Sequence, residues 1–252
     1  MRQGLAAVLL CVLAVSAGCS ALPGSGGGGT PAAEEVPGIE DGQLENETAL
    51  LDAHVEAVTE TGFAQEIRTN ATTVRQGEAI EVSQRQRTRV TAGATEYRYQ
   101  TVTSGGVATR FIAWGNETIE VRRAEAGGGE PQYQSTDPED AATLAGRTLL
   151  ETRLTSAFEV VDVEERENGP DVVTLEVDGL PENNSVFAGQ DRIGNVSGFE
   201  AELVVDTEGR VHSYAAAAVY DVEGQTGNYE FTFQMTSFED PGVERPEWAD
   251  SA

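Results

Sequence analysis

From residue 47 the apolar positions recur with helical spacing. Leu50, Leu51, His54, Val55 and Val58 fall on one face of a helix predicted over 47–61, and Gly62 is placed to stop it. His54 is expected to pack at the edge of this stripe. The period then drops to two. Ile80, Val82 and Val90 mark one face of a strand that carries Arg85, Arg87 and Arg89 on the other. Tyr97 and Tyr99 alternate with Arg98 and Gln100, and Val107–Trp114 and Thr118–Arg122 read as the next strands. Ala92-Gly93, Gly105-Gly106 and Gly115-Asn116 are short enough to make this an antiparallel meander.

A second helix is predicted after it, with Asp137 as N-cap, Pro138 at the first helical position and Asp140 facing the positive end of the dipole. Leu144, Leu149, Leu150 and Leu154 form its apolar side. Alternation returns with Val161 and Val163, then Val173, Leu175 and Val177, then Phe199, Ala201, Leu203 and Val205. An alanine-rich strand over Val211–Tyr220 and a last row, Tyr229, Phe231, Phe233 and Met235, complete the pattern. Helix, meander, helix, meander predicts an α+β fold: a long twisted antiparallel sheet, an incomplete barrel, packed with two helices. Small residues at 215–218 leave room on the sheet, either for a packed helix or for an apolar ligand.

The first 43 residues follow neither period. Leu5–Val15 is an apolar run about half the ~20 residues a membrane-spanning helix needs, so 1–18 is expected to be a signal peptide. Val15-Ser16-Ala17-Gly18-Cys19 resembles a prokaryotic lipoprotein box, with Ser16 where that pattern usually has Leu. The resemblance implies lipidation at Cys19 and a place on the extracytoplasmic face of the cell membrane. Residues 19–43, rich in Gly, Pro and Glu, are expected to be a flexible tether, 44–248 a single domain and 249–252 a tail. Gly24–Gly29 matches the dinucleotide-binding spacing but lacks the flanking strand and helix, so no nucleotide is implied. The other cysteine, Cys11, lies in the signal, which excludes internal disulfides, thiol catalysis and cysteine-based metal sites in the mature chain.

Charge narrows the setting further. The chain has 43 acidic and 16 basic residues, every basic one is Arg, and the net charge is −27. Self-repulsion on this scale strains a compact state in dilute buffer, whereas molar salt shortens the Debye length to about 3 Å. The composition resembles that of proteins from extremely halophilic archaea. Five sequons, at Asn46, Asn70, Asn116, Asn183 and Asn195, are candidate glycosylation sites. Residues 68–123 run against the trend, with nine Arg and five Glu. Cross-strand pairing with acidic residues accounts for such a cluster most simply. The sharper alternative gives Arg85, Arg87 and Arg89 to anionic head groups or acidic glycans.

The order of elements, with the Cys19 anchor, the glycine-rich leash, the helix ending at Gly62-Phe63 and the terminal Arg245-Pro246-Glu247-Trp248, resembles the LolA/LolB and LppX/LprG-like lipid carriers. It resembles still more the haloarchaeal lipoproteins of unknown function with this layout. The resemblance implies a non-enzymatic binder of a lipid or other apolar ligand. The rival expectation is an envelope interaction protein with a solid core, its partners being surface-layer or membrane proteins. No nucleophile elbow, zincin, phosphate-loop or EF-hand motif occurs, so neither catalysis nor a cofactor, metal or nucleic-acid partner is expected. His54 and His212 lie on separate predicted elements. Glu164, Glu165 and Glu167 are expected to be a solvated acidic edge. Pro246 and Trp248 are expected to pin the C-terminus.

Overall fold

A computed structural model describes residues 31–181, 186–187 and 193–251. The chain enters through a short helix α1 (Pro31–Glu34), two short strands, β1 (Ile39–Glu40) and β2 (Gln43–Leu44), and a longer helix α2 (Glu47–Thr61). The first meander is β3 (Phe63–Arg75), β4 (Glu78–Val90), β5 (Glu96–Ser104), β6 (Thr109–Asn116), β7 (Glu120–Ala126) and β8 (Gln132–Thr136). Two short helices, α3 (Ala141–Leu144) and α4 (Arg147–Glu151), carry the chain across to the other edge. There β9 (Glu159–Glu164), β10 (Val172–Asp178), β11 (Ile193–Asp206), β12 (Val211–Val222) and β13 (Gln225–Ser237) form the second meander.

All thirteen strands join one antiparallel sheet, ordered β1-β2-β9-β10-β11-β12-β13-β3-β4-β5-β6-β7-β8. It is an open sheet with β1 and β8 at its edges, the α+β arrangement the alternation predicts. Its centre is the seam where the last strand meets the first long one, with Phe233 opposite Ile67 and Phe231 opposite Thr69. One face is apolar, and the helices lie over it. Across neighbouring strands, Leu175, Leu203, Tyr214, Phe233 and Ile67 stand in one row on that face. Leu50, Leu51, His54 and Val58 of α2 are buried with them.

Helix α2 matches the predicted span. Asn46 caps it, its side chain accepting from the Ala49 N–H at 3.0 Å, and Gly62 ends it at φ 77°. Any side chain at Gly62 would collide with the backbone of Ala92 and Asp240, so close packing reinforces what the positive φ requires.

Four expectations need correction. The second helix is two short ones, capped by Asp140 rather than Asp137 and interrupted at Gly146, whose φ is 83°. The break brings Gly146 against the ring of Phe233, where a Cβ would stand 2.8 Å from the ring. The stretch 31–43, expected as tether, belongs to the body, because Ala33, Val36 and Ile39 are buried in the main core. At the other end Ala249 is buried with Trp114 and Val121, so the domain reaches past 248. Finally, Val161 does not share a face with Val163. A bulge sets Asp162 opposite Thr174 and Val160 opposite Leu175, leaving Val161 53% exposed.

Candidate functional site

The two faces of the sheet carry different chemistry, and the outer one brings arginines together. On the outer face, Glu66 of β3 stands across from Arg87 and two residues along the strands from Arg68 and Arg85, which are themselves paired across β3 and β4. All three guanidinium groups converge on its carboxylate, Arg85 through Nε at 2.9 Å and Arg87 through Nε at 2.8 Å. Partial burial acts to raise the Glu66 pKa, but the hydrogen bonds from Arg87, Arg85 and Arg68 prevail and hold it at about 2. The cross-strand pairing expected for this cluster therefore holds for Arg85 and Arg87. A groove of about 370 Å³ lies over them, lined mainly by Arg68, Asn70, Ser83, Arg85, Arg87 and Gln100.

Arg89 differs. Its neighbour on β3 is Ala64 and on β5 is Arg98, and among the described residues neither arginine is paired with a carboxylate. Arg98 and Trp114 are direct cross-strand partners, and the chain's end returns over this part of the sheet. Val243, Trp248 and Ala249 pack on Trp114, and the Arg245 guanidinium lies 4.6 Å from its ring centroid. Trp248 thus docks the C-terminus, and the Pro246 carbonyl accepts from Ala249 N–H at 3.0 Å.

On the inner face the small residues resolve into two sets. Ala216 and Ala218 point inward and Ala215 and Ala217 outward, since strand side chains alternate. Val177, Ala201, Ala216 and Phe231 form one row across β10 to β13. Its first three members keep 8%, 6% and 7% exposure in a core where Leu175, Leu203, Tyr214 and Phe233 keep none. Above this row the Arg153 guanidinium lies on the Phe231 ring, 4.0 Å from its centroid. It donates to the Leu149 carbonyl and to Tyr229 Oη, the latter at 3.5 Å, while its Nε and the buried Tyr214 hydroxyl find no partner among the described residues. No described carboxylate balances the cation. Burial pushes the Tyr214 phenol up, so it stays protonated as a donor. The result is an apolar floor of small side chains with a cation and a free hydroxyl beside it.

Further along the inner face, Glu120 is fully buried. It accepts from Tyr97 Oη at 2.8 Å and Tyr99 Oη at 3.2 Å and pairs with Arg122, which also reaches Glu139 at 3.0 Å. Every member has a partner, which makes this a structural network rather than a site.

Both histidines bond near the β11–β12 turn, each with its own partners. His54 Nδ1 accepts from the Val211 N–H at 3.1 Å, and Nε2 donates to the Ala145 carbonyl at 3.2 Å. His212 Nε2 sits 2.8 Å from the buried Asp206, which also binds Arg210 at 2.8 Å. Among the described residues no cluster of three or more metal-ligating side chains forms. Asn46, Asn70 and Asn195 are exposed and Asn116 is half-buried in a turn it organises. Glu164, Glu165 and Glu167 are exposed, as expected of a solvated edge. Cys19 and Asn183 lie outside the described residues.

Sequence reasoning missed Arg98 and Arg153. The one available signal for Arg153 was a cation directly before Leu154, on a segment whose Leu149, Leu150 and Leu154 form an apolar side.

No family model and no curated protein matches the chain. Among solved structures, a DUF1329 family protein from Desulfovibrio piger aligns with 78% of this chain and 94% of its own, at 9% identity and a TM-score of 0.28. A putative outer membrane lipoprotein-sorting protein domain from Vibrio parahaemolyticus covers 82% and 98%, at 11% identity and a TM-score of 0.28. A LolA superfamily protein from Nitrosomonas europaea covers 80% and 95%, at 10% identity and a TM-score of 0.23. Likeness at these scores is too slight to bear on ligand or mechanism, and the architecture rests on the chain's own strands.

Proposed function

We propose that this is a non-enzymatic binding protein of the cell envelope, tethered to the extracytoplasmic face of the membrane through lipid on Cys19, that holds an amphipathic ligand against the inner face of its sheet. The observation that carries this is the uncompensated Arg153 beside the unpartnered, buried Tyr214 hydroxyl. In a chain of net charge −27, a cation facing an apolar floor without a carboxylate is matched by an acidic head group, and the Val177–Ala201–Ala216 row suits the apolar part. A buried donor left unsatisfied costs about 1–3 kcal/mol, which a ligand oxygen would recover.

The zero exposure of the neighbouring core residues favours the rival, an envelope interaction protein with a solid interior. Lipid extraction and mass spectrometry separate the two. The chain is purified in molar salt with Cys19→Ser, so that covalent anchor lipid does not confuse the extract. A stoichiometric acidic amphiphile is expected, reduced at least fivefold in Arg153→Gln. An empty extract from folded protein sinks the carrier and leaves the solid-core reading.

A further inference from the structure

The outer face offers a second pair of arginines whose placement is independent of the inner site. Arg89 and Arg98 are direct cross-strand partners on β4 and β5. Residues so paired have their Cβ atoms about 4.5–5.5 Å apart, and like charges there repel. The same strand shows how the surface neutralises arginines when a carboxylate is in reach, since Glu66 gathers Arg68, Arg85 and Arg87. One step along, β3 offers Ala64 instead, and the other flank of Arg98 is Trp114. Among 43 acidic residues none of the described ones closes on this pair. The Pro241–Glu244 segment walls the pair into a notch of about 390 Å³. Glu244 lines the notch yet forms no ion pair with either arginine.

We propose that Arg89 and Arg98 form an oxyanion site that takes a phosphate group. Two guanidinium forks side by side present several donors to one tetrahedral anion, a geometry that works by directed hydrogen bonds and so survives screening better than simple attraction. The phosphate is either dissolved or carried on a lipid head group.

Both tryptophans, Trp114 and Trp248, belong to the cluster beside the notch, so intrinsic fluorescence reports on it. The full chain with Cys19→Ser is titrated with potassium phosphate at constant molar ionic strength, and separately with phosphatidylglycerol vesicles against phosphatidylcholine vesicles. A saturable response to inorganic phosphate, weakened at least tenfold in R89Q/R98Q and kept in R68Q, supports the site with free anion as its ligand. A response confined to phosphatidylglycerol vesicles and lost in R89Q/R98Q supports the head group. Because R89Q/R98Q removes a repulsive pair, its unfolding midpoint is expected to hold or rise. Arg98→Glu gives a second check, placing a carboxylate beside Arg89 and abolishing the response in a chain at least as stable. Equal responses in the parent and R89Q/R98Q chains, or no response to either probe, overturn the proposal. Lipid extraction from the inner face is untouched by that result.

Discussion

His54 shows how a single polar residue can be both buried and satisfied. Burial is the main force on its pKa, lowering it to about 4, against a weaker opposing pull from the Ala145 carbonyl. The folded ring is therefore neutral while the unfolded one protonates near pH 6.5. Between these values the unfolded state binds the extra proton, so stability rises with pH, and it is lost as pH falls from about 6.5 toward 4. The full effect is about 3 kcal/mol. Chemical denaturation at fixed salt should show this fall between pH 7.5 and 5, and His54→Gln should flatten it. An unchanged slope in that variant means the ring does not titrate with folding. Glu120 makes the complementary point, for a buried carboxylate flanked by two tyrosines and Arg122 is legible in sequence only as one more acidic residue. Its position on β7, opposite Gly115 and in line with Tyr97, is what gives it partners.

At the level of elements, the pattern identified most of the long strands because their rows alternate over many residues, but it named none over β3, whose inner face carries polar Gln65, Thr69 and Thr73 between Phe63, Ile67 and Ala71. It also failed where an element is short or offset by one. The bulge that turns Val161 outward costs one residue of register, and period-two reasoning cannot see a slip that only the partner strand imposes. The N-terminal boundary failed for a related reason. Val36 and Ile39 are isolated apolar residues in a glycine- and proline-rich stretch, and nothing local says that they are buried. In the structure they belong to the main core, and Gly38 passes so close to Asn46 that a Cβ would meet its carbonyl oxygen. Ile39→Ala is therefore expected to destabilise the domain by about 2–4 kcal/mol in denaturant unfolding, as for core truncations generally. A loss under 0.5 kcal/mol would return residues 31–43 to the tether.

For the whole molecule, charge and topology set the terms. With a net charge of −27 the folded state concentrates repulsion that the unfolded chain spreads out. The unfolding midpoint is expected to climb steeply as potassium chloride rises from 0.1 to 2 M and then level off, as screening saturates. A midpoint insensitive to salt would separate the acidic composition from stability. Topology decides what the charges do locally. Glu66 lies just outside the arginine-rich stretch of the sequence, yet β3 pairing makes it the shared counter-ion of three arginines.

The sequence by itself determined the α+β class, the two meanders, the α2 span with its glycine stop, and the overall charge. Each of these is written in local periodicity or in composition, which need no distant partner. Only the tertiary structure decided that the last strand closes on the first long one, that residues 31–43 are core, and that Arg89 meets Arg98 while Arg87 meets Glu66. Which side chains share a face and a register depends on strands far apart in the chain, and a one-residue shift in pairing moves every side chain to the other side.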